Sequence, residues 1–174
     1  MKRFFLLLFS LISLTFSEGQ SQISFEKAPR GKLLVFVFLS TDCPISQNYI
    51  SELNRIAEKY SSEIVLKGII PGKIKKKDLE FFKTEYQVKF KLAADRNYKM
   101  VDKLNGKTTP EVFLYNSLGL LKYEGAIDNW YYELGKHRQE PSQQYLIEAI
   151  EDLMNGKDPR QPRTQAVGCI IQRH

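Results

Sequence analysis

The sequence predicts an α/β fold, because apolar strand patterns alternate with amphipathic helix patterns along most of the chain. The apolar run at residues 33–39 ends in Ser-Thr-Asp and indicates a strand that is buried on both faces. Apolar residues then recur at steps of three and four from Ile45 to Tyr60, which indicates a helix. A later hairpin pattern adds antiparallel strands, so we expect a mixed sheet with a parallel portion.

The other elements continue this alternation. They are a short strand over 23–25, a strand over 63–70, a helix over 75–86, a strand over 90–94, a helix over 98–104, a hairpin over 112–124 and a last helix over 142–154. Asp95 or Asn97 is the expected cap of the third helix, and Ser142 is the expected N-cap of the last one. The aromatic segment at 128–138 shows no regular pattern.

The composition is that of one globular domain. The chain has 174 residues, of which 43% are hydrophobic and 26% are charged. The formal net charge is +6, and the lysines at 73–77 form a local basic cluster. We interpret this cluster as a solvated helix start and predict no nucleic-acid partner.

The N-terminus has the pattern of a signal peptide. Lys2 and Arg3 precede an apolar run that continues to Phe16. The alternative, an uncleaved membrane anchor, is less favoured because this run is short for a full span. We therefore expect an exported protein, periplasmic or extracellular, with a signal peptide at 1–19, one domain at 20–156 and a C-terminal tail at 157–174 that carries a cysteine.

Cys43 lies where the first buried strand gives way to the first helix. Backbone N–H groups at a helix start lack partners and the helix dipole is positive there, which favours a thiolate. Thr41 and Asp42 are candidate helix caps, although the charge of Asp42 opposes a neighbouring thiolate. The alternative role for Cys43 is a buried, inert thiol that packs as a small hydrophobic residue.

Two motifs together resemble the thioredoxin fold. The first is Cys43-Pro44-Ile45-Ser46 at a helix start after a buried strand, and the second is Thr109-Pro110 before a hairpin that turns at Gly119. More narrowly, the chain is similar to the exported redoxin branch related to the alkyl hydroperoxide reductase/thiol-specific antioxidant proteins, over residues 25–155. The resemblance implies a thioredoxin-like fold, with a central mixed sheet flanked by helices.

The resemblance also implies which residues surround the reactive sulfur. In these proteins the Thr-Pro bond is cis and lies beside the cysteine, which would place Thr109 and Pro110 at the site. The end of the chain, at 131–138 and 163–169, resembles redoxin domains that sit beside haem or copper modules, which implies a possible partner of that kind. The remaining site-lining candidates surround the cysteine in sequence: Thr41, Asp42, Pro44 and Ser46.

The sequence around Cys43 departs from the patterns of both thioredoxins and peroxiredoxins. Ser46 occupies the position of the second thioredoxin cysteine, and a serine cannot resolve a mixed disulfide. Ser40 matches the hydroxyl residue that peroxiredoxins carry before the cysteine, but Phe36 stands where they carry proline. Their arginine has no counterpart in the sequence after Pro110, although Arg96 is a candidate to replace it in space.

Cys169 leaves three alternatives open. It is the resolving cysteine for Cys43, or it forms a permanent disulfide with Cys43, or it pairs with another protein or a metal. A permanent bond across so long a loop would contribute roughly 4–5 kcal/mol in the entropic model. The apolar patch at 166–171 favours a docked tail in all three.

These observations predict an exported thiol-disulfide oxidoreductase, with Cys43 as nucleophile and Cys169 as resolving cysteine. The expected partners are a protein or small-molecule disulfide, or a peroxide, and an external thiol reductant; we expect no cofactor. One alternative is a peroxiredoxin-like peroxidase. Another is a non-catalytic copper-binding or docking module, in which a histidine such as His137 joins the two cysteines as a ligand.

Overall fold

Strands and helices alternate in the structure as the sequence predicts. The computed structural model describes residues 31–173. The predicted signal peptide and the short strand at 23–25 lie outside these residues. The helices are α1 (Pro44–Lys59), α2 (Lys76–Glu85), α3 (Lys99–Leu104) and α4 (Tyr145–Met154). The strands are β1 (Leu33–Phe38), β2 (Ile64–Pro71), β3 (Lys91–Asp95), β4 (Thr108–Thr109), β5 (Glu111–Tyr115), β6 (Leu121–Gly125), β7 (Tyr131–Glu133), β8 (Lys136–His137) and β9 (Cys169–Ile170).

The main sheet is mixed, with the strand order β3-β2-β1-β5-β6. β1 pairs in parallel with β2, which pairs in parallel with β3. On its other side β1 pairs antiparallel with β5, and β5 pairs antiparallel with β6. Helices cover the sheet, so the predicted thioredoxin-like class is confirmed.

The central strand β1 is buried on both faces, as its continuous apolar sequence indicates. Val35 and Val37 belong to the core cluster that contains the apolar face of α1, including Leu53. Phe36 and Phe38 belong to the cluster on the opposite face, which includes α3. Because side chains of this size each contribute about 1.5–3 kcal/mol when fully buried, β1 fixes the position of the loop that follows it.

Cys43 is the N-cap residue of α1, and Pro44 occupies the first helical turn. Proline suits this position because its fixed φ matches the helix and its missing N–H would have no partner there. The prediction that Thr41 or Asp42 caps the helix is wrong, since no side chain caps it. Instead, the Thr41 carbonyl accepts a hydrogen bond from the Gln47 side chain, at 2.6 Å.

The structure corrects the start of the last helix. α4 begins at Tyr145 with Gln144 as N-cap residue, not at Ser142. The side chain of Asn129 explains this, because its oxygen accepts the backbone N–H of Ser142 (2.9 Å) and of Gln143 (3.1 Å) and holds these residues in a loop. The aromatic segment before this loop forms the small β7–β8 hairpin rather than irregular structure.

The first turn of α3 is capped by Asp95, one of the two expected residues. Its carboxylate accepts the backbone N–H groups of Met100 (2.9 Å) and Val101 (3.0 Å). Within residues 31–173, no helix combines the length and apolar character that crossing a membrane requires.

The C-terminal tail is anchored to the sheet edge at β6 before it reaches β9. Thr164 donates its N–H to the Glu124 carbonyl (3.0 Å), and its hydroxyl oxygen accepts the N–H of Ala126 (2.9 Å). Gly125 permits this approach, because any Cβ there would collide with the Thr164 backbone. We call these contacts of residues 162–164 the β6 anchor.

Candidate active site

Cys43 and Cys169 form a disulfide that joins the start of α1 to the C-terminal tail. Their Cα atoms are 6.2 Å apart, and 126 residues separate them in sequence. Cys43 is 1% exposed, whereas Cys169 is partly exposed. In this form Cys169 is therefore bonded within the chain, which leaves two of the three predicted alternatives, a resolving cysteine or a permanent disulfide.

A short strand pairing positions Cys169. β9 lies antiparallel to β4, with Cys169 opposite Thr109 and Ile170 opposite Thr108. The Thr109 hydroxyl donates to the Cys169 carbonyl (3.4 Å), and the Ile171 N–H donates to the Lys107 carbonyl (2.9 Å). The tail thus reaches the disulfide as an added strand on β4.

Thr109 also contacts the other half of the disulfide. Its peptide bond to Pro110 is cis, as the resemblance implied. Its carbonyl oxygen lies 3.1 Å from the Cys43 sulfur, so a reduced Cys43 thiol would have an acceptor within reach.

The start of α1 favours the anionic form of a reduced Cys43. α1 has 16 residues, and its first turn contains no acidic side chain that would offset the positive end of the dipole. Asp42 lies next to the cysteine but is exposed, where solvent screens its charge. The helix start therefore favours a Cys43 thiolate, whereas the burial of Cys43 and the charge of Asp42 oppose one.

Both cysteines line an open groove of about 900 Å³. Three of the predicted site residues, Thr41, Asp42 and Thr109, line it with them. Pro44 is exposed at the helix start, and Pro110, which follows Thr109 in the chain, is buried. Neither proline lines the groove. The roles predicted for these residues stay predictions.

Ser46 is fully buried, and its side chain makes a structural hydrogen bond. Its hydroxyl oxygen accepts the backbone N–H of Ser40 at 3.2 Å. Ser46 therefore ties the end of the β1 loop to the first turn of α1. Its position supports the geometry around Cys43 rather than lining the groove.

One wall of the groove was not predicted from the sequence. It comes from the end of β2 and the loop that follows it, residues 70–75, and from Asp78 and Tyr98. Lys73 and Lys75 bring two positive charges to this wall. The signal was available, because neighbouring parallel strands end at the same sheet edge and β2 adjoins β1.

Glu111 is a second residue that sequence reasoning missed. Its carboxylate accepts the backbone N–H groups of Lys107 (2.6 Å) and Thr108 (3.2 Å), which holds β4 in place. Burial raises the pKa of Glu111, and the two N–H groups partly offset this effect. An acidic residue directly after Thr109-Pro110 is the only sequence signal for this role.

An aromatic cluster packs on α1 away from the groove lining. Tyr49 donates to the buried Asp128 carboxylate (2.5 Å), and its ring contacts Trp130 (centroids 5.5 Å apart). His137 is exposed, and its ring meets Trp130 edge-on (centroids 5.3 Å apart) and Tyr131 at a tilt (5.4 Å). Within the described part of the chain, no group of three His, Cys, Asp or Glu side chains is arranged to hold a metal.

The sequence profile of the AhpC/TSA family matches residues 9–125, two-thirds of the chain, including Cys43 and Pro110. The protein belongs to the AhpC/TSA family. Among curated proteins, no sequence matches the chain.

Solved structures show the same fold. A hypothetical protein from Sinorhizobium meliloti superposes with a TM-score of 0.73 at 20% identity, over 83% of this chain and 81% of that one. An uncharacterized conserved protein from Geobacillus kaustophilus superposes with a TM-score of 0.72 at 17% sequence identity, over 85% of this chain and 79% of that one. A putative thioredoxin from Neisseria meningitidis superposes with a TM-score of 0.58 at 14% sequence identity, over 74% of this chain and 79% of that one. These similarities support the thioredoxin-like fold.

The structure also locates two departures from the peroxiredoxin pattern within the AhpC/TSA family. Phe36 is buried in β1 and faces the α3 side of the sheet, against the ring of Tyr115 (6.0 Å). Arg96 is exposed after β3 and does not line the groove. Among residues 31–173, no arginine does.

Proposed function

We propose that this AhpC/TSA protein is a thiol-disulfide oxidoreductase in which Cys43 and Cys169 cycle between a disulfide and two thiols. The observation that carries the proposal is the disulfide itself. It joins a helix-start cysteine to a tail held by a two-residue strand pairing, at the wall of an open groove. Once this bond opens, the strand pairing that holds Cys169 at β4 is only two residues long.

In the reduced protein, the Cys43 thiolate attacks one sulfur of a substrate disulfide. A bond forms between Cys43 and that sulfur, and the other substrate sulfur leaves as a thiolate. The Cys169 thiolate then attacks the Cys43 sulfur, which releases the substrate as a second thiolate. The substrate has gained two electrons, and the protein has become the Cys43–Cys169 disulfide.

Regeneration starts at the other sulfur. Because Cys43 is 1% exposed and Cys169 is partly exposed, an incoming thiolate reaches the Cys169 sulfur first. Cys43 leaves as the thiolate that the start of α1 stabilises, and a lower leaving-group pKa speeds exchange. A second thiol of the reductant then releases Cys169.

A second candidate function is the reduction of peroxides, which the family match favours. There the Cys43 thiolate would attack one peroxide oxygen, the O–O bond would break, and the other oxygen would leave as water or an alcohol. Cys169 would then convert the resulting Cys43 sulfenic acid to the disulfide with loss of water. The absence of arginine from the groove lining within residues 31–173 favours disulfide exchange instead.

Export belongs to the same proposal. Disulfides form and persist most readily in oxidising compartments outside the cytosol, and the basic and apolar pattern at 1–19 is typical of an export signal. In the periplasm or outside the cell, the domain at 20–156 would meet an external thiol reductant and a possible haem or copper redox module.

A redox titration tests the proposal against a permanent disulfide. The purified protein is equilibrated in glutathione buffers, its free thiols are labelled, and the mass is measured. We expect a reversible two-thiol transition at a potential above about −300 mV, since structural disulfides usually lie below that value. A protein that stays oxidised throughout contradicts the proposal.

Two single variants complete the test. Cys169→Ser should accumulate a mixed disulfide with substrate, whereas Cys43→Ser should form none with it. To separate the second candidate, reduced protein is mixed with peroxide and with a disulfide in a stopped-flow instrument. A peroxide rate no faster than that of free cysteine removes the peroxidase function.

A further inference from the structure

The tail segment that carries Cys169 lines the groove as a short extended peptide. Cys169 and Ile170 run antiparallel to Thr109 and Thr108, and Gly168 directly precedes this pairing. The sulfur of the middle residue is bonded to Cys43. If Cys43 is the nucleophile, as proposed above, this geometry is that of a mixed disulfide between Cys43 and a bound polypeptide.

Gly168 fits this position because it has no side chain. A Cβ atom there would overlap the Thr109 carbonyl group and would lie 3.1 Å from the Pro110 nitrogen. These are backbone atoms, so they cannot rotate away as a flexible side chain would. The position before the cysteine therefore accepts glycine and excludes larger residues.

The two residues after the cysteine differ in their surroundings. Ile170 is 75% exposed and imposes no requirement on its position. Ile171 packs against the core cluster on the α3 side of the sheet, and its N–H donates to Lys107. The second position after the cysteine therefore favours an apolar side chain.

The tail can leave this position without leaving the protein. The β6 anchor holds Thr164 through contacts that do not involve the disulfide. After reduction, the short pairing with β4, the packing of Val167 on the core and the contacts of residues 171–173 retain the segment that follows. Another polypeptide could then take its place on β4.

We infer that the Thr108–Thr109 edge recognises an extended protein segment with the pattern Gly-Cys-any-apolar, and that the tail is a tethered copy of this segment. The Cys43 thiolate attacks the cysteine sulfur of a bound segment whose cysteine is in a disulfide, and the other sulfur of that disulfide leaves as a thiolate. Tail and partner cannot pair with Thr109 together. The partner backbone must therefore leave β4 while the partner's sulfur is still bonded to Cys43. Only then can Cys169 attack the Cys43 sulfur.

The test uses the full chain with Cys169→Ser, which leaves Cys43 as its one cysteine. End-blocked peptides Gly-Cys-Ile-Ile, Ala-Cys-Ile-Ile and Val-Cys-Ile-Ile are activated as mixed disulfides with thionitrobenzoate. The release of thionitrobenzoate measures the rate of each reaction. For each peptide, the rate with the protein is divided by the rate with free cysteine. We expect the glycine peptide to react about tenfold faster than the other two, because their Cβ atoms meet the Thr109 backbone.

A second variant tests the tail as a competitor. Adding Gly168→Val to Cys169→Ser should prevent the tail from docking and should raise the rate with the glycine peptide. The rate with glutathione disulfide, which needs no strand pairing, serves as the control for folding and for Cys43 reactivity. Equal rates for the three peptides, or no gain from Gly168→Val, overturn the inference while the glutathione reaction upholds the proposed function. Failure of Cys43 to react with any of these disulfides overturns the proposed function itself.

Discussion

Thr109 lies opposite Cys169 in the β4–β9 pairing, and its hydroxyl donates to the Cys169 carbonyl. Its own carbonyl oxygen is 3.1 Å from the sulfur of Cys43. One residue thus contacts both ends of the disulfide. Because Glu111 fixes the backbone just before Thr109, the geometry of the bond depends on β4 as much as on α1.

The disulfide should contribute strongly to stability. In the entropic model, a cross-link between residues 126 apart contributes about 5 kcal/mol, and measured values for single disulfides are typically about 2–4 kcal/mol. Cys169→Ser should therefore lower the free energy of unfolding by about 2–5 kcal/mol, measured by urea denaturation. Cys43→Ser should lose at least as much, because it also places a hydroxyl group in the core. Reductant should lower the midpoint of the wild type alone, and an unchanged wild-type midpoint would contradict the assignment.

Reduction should release one part of the tail and leave the other in place. The N–H of Ile171 bonds to Lys107 beside the disulfide, whereas the N–H of Thr164 bonds to Glu124 in the β6 anchor. Hydrogen exchange measured before and after reduction should therefore speed up at Ile171 and stay unchanged at Thr164. Equal acceleration at both amides would show that the whole tail opens as one unit.

Local patterns allowed much of this structure to be predicted. The buried strand β1 and the helix start at Cys43 depend on residues close together in the chain, whereas the cis bond at Pro110 was implied by the family resemblance. The family resemblance carried the same elements, and the AhpC/TSA match and the fold confirm it. These features need no knowledge of which distant segments meet.

Long-range contacts could not be predicted in this way. β4 and β9 have two residues each, too few for any periodicity, and their pairing joins segments that are distant in sequence. The fit of Gly168 exists only once the Thr109 backbone lies against it. The start of α4 was misplaced for the same reason, because Asn129 holds Ser142 from a distant loop.

Tyr49→Phe should destabilise the protein in a pH-dependent way. Its hydroxyl donates to Asp128, which otherwise accepts the N–H of Trp130 (2.7 Å). Loss of a hydrogen bond to a buried carboxylate costs about 1–3 kcal/mol, while the remaining ring still packs on Trp130. Burial raises the pKa of Asp128 and the Tyr49 hydroxyl lowers it, so the variant raises this pKa further. The loss should therefore be larger at neutral pH than in acid, where the carboxyl is protonated.

Tyr132→Phe is the matched control for that substitution, because Tyr132 lies on the neighbouring β7 strand and is 53% exposed. Unfolding free energies of both variants are measured at acidic and neutral pH. Tyr132→Phe should change them by less than about 0.5 kcal/mol at either pH, as expected for exposed sites. A Tyr49→Phe loss that is the same at both pH values would contradict the role of the Asp128 charge.

Glu111→Gln should alter how stability depends on pH. Burial raises the pKa of Glu111 above 4.5, its value in the unfolded chain, so folding favours the protonated acid. The stability that this residue contributes is complete below the unfolded pKa and decreases as pH rises through the folded pKa, by about 1.4 kcal/mol for each unit between the two. The wild-type free energy of unfolding, relative to Glu111→Gln, should fall across that interval and then level off. Glu111→Asp keeps an ionisable carboxyl and should keep a pH-dependent difference from the glutamine variant. Parallel pH curves for wild type and Glu111→Gln would show that this carboxyl titrates alike in the folded and unfolded chains.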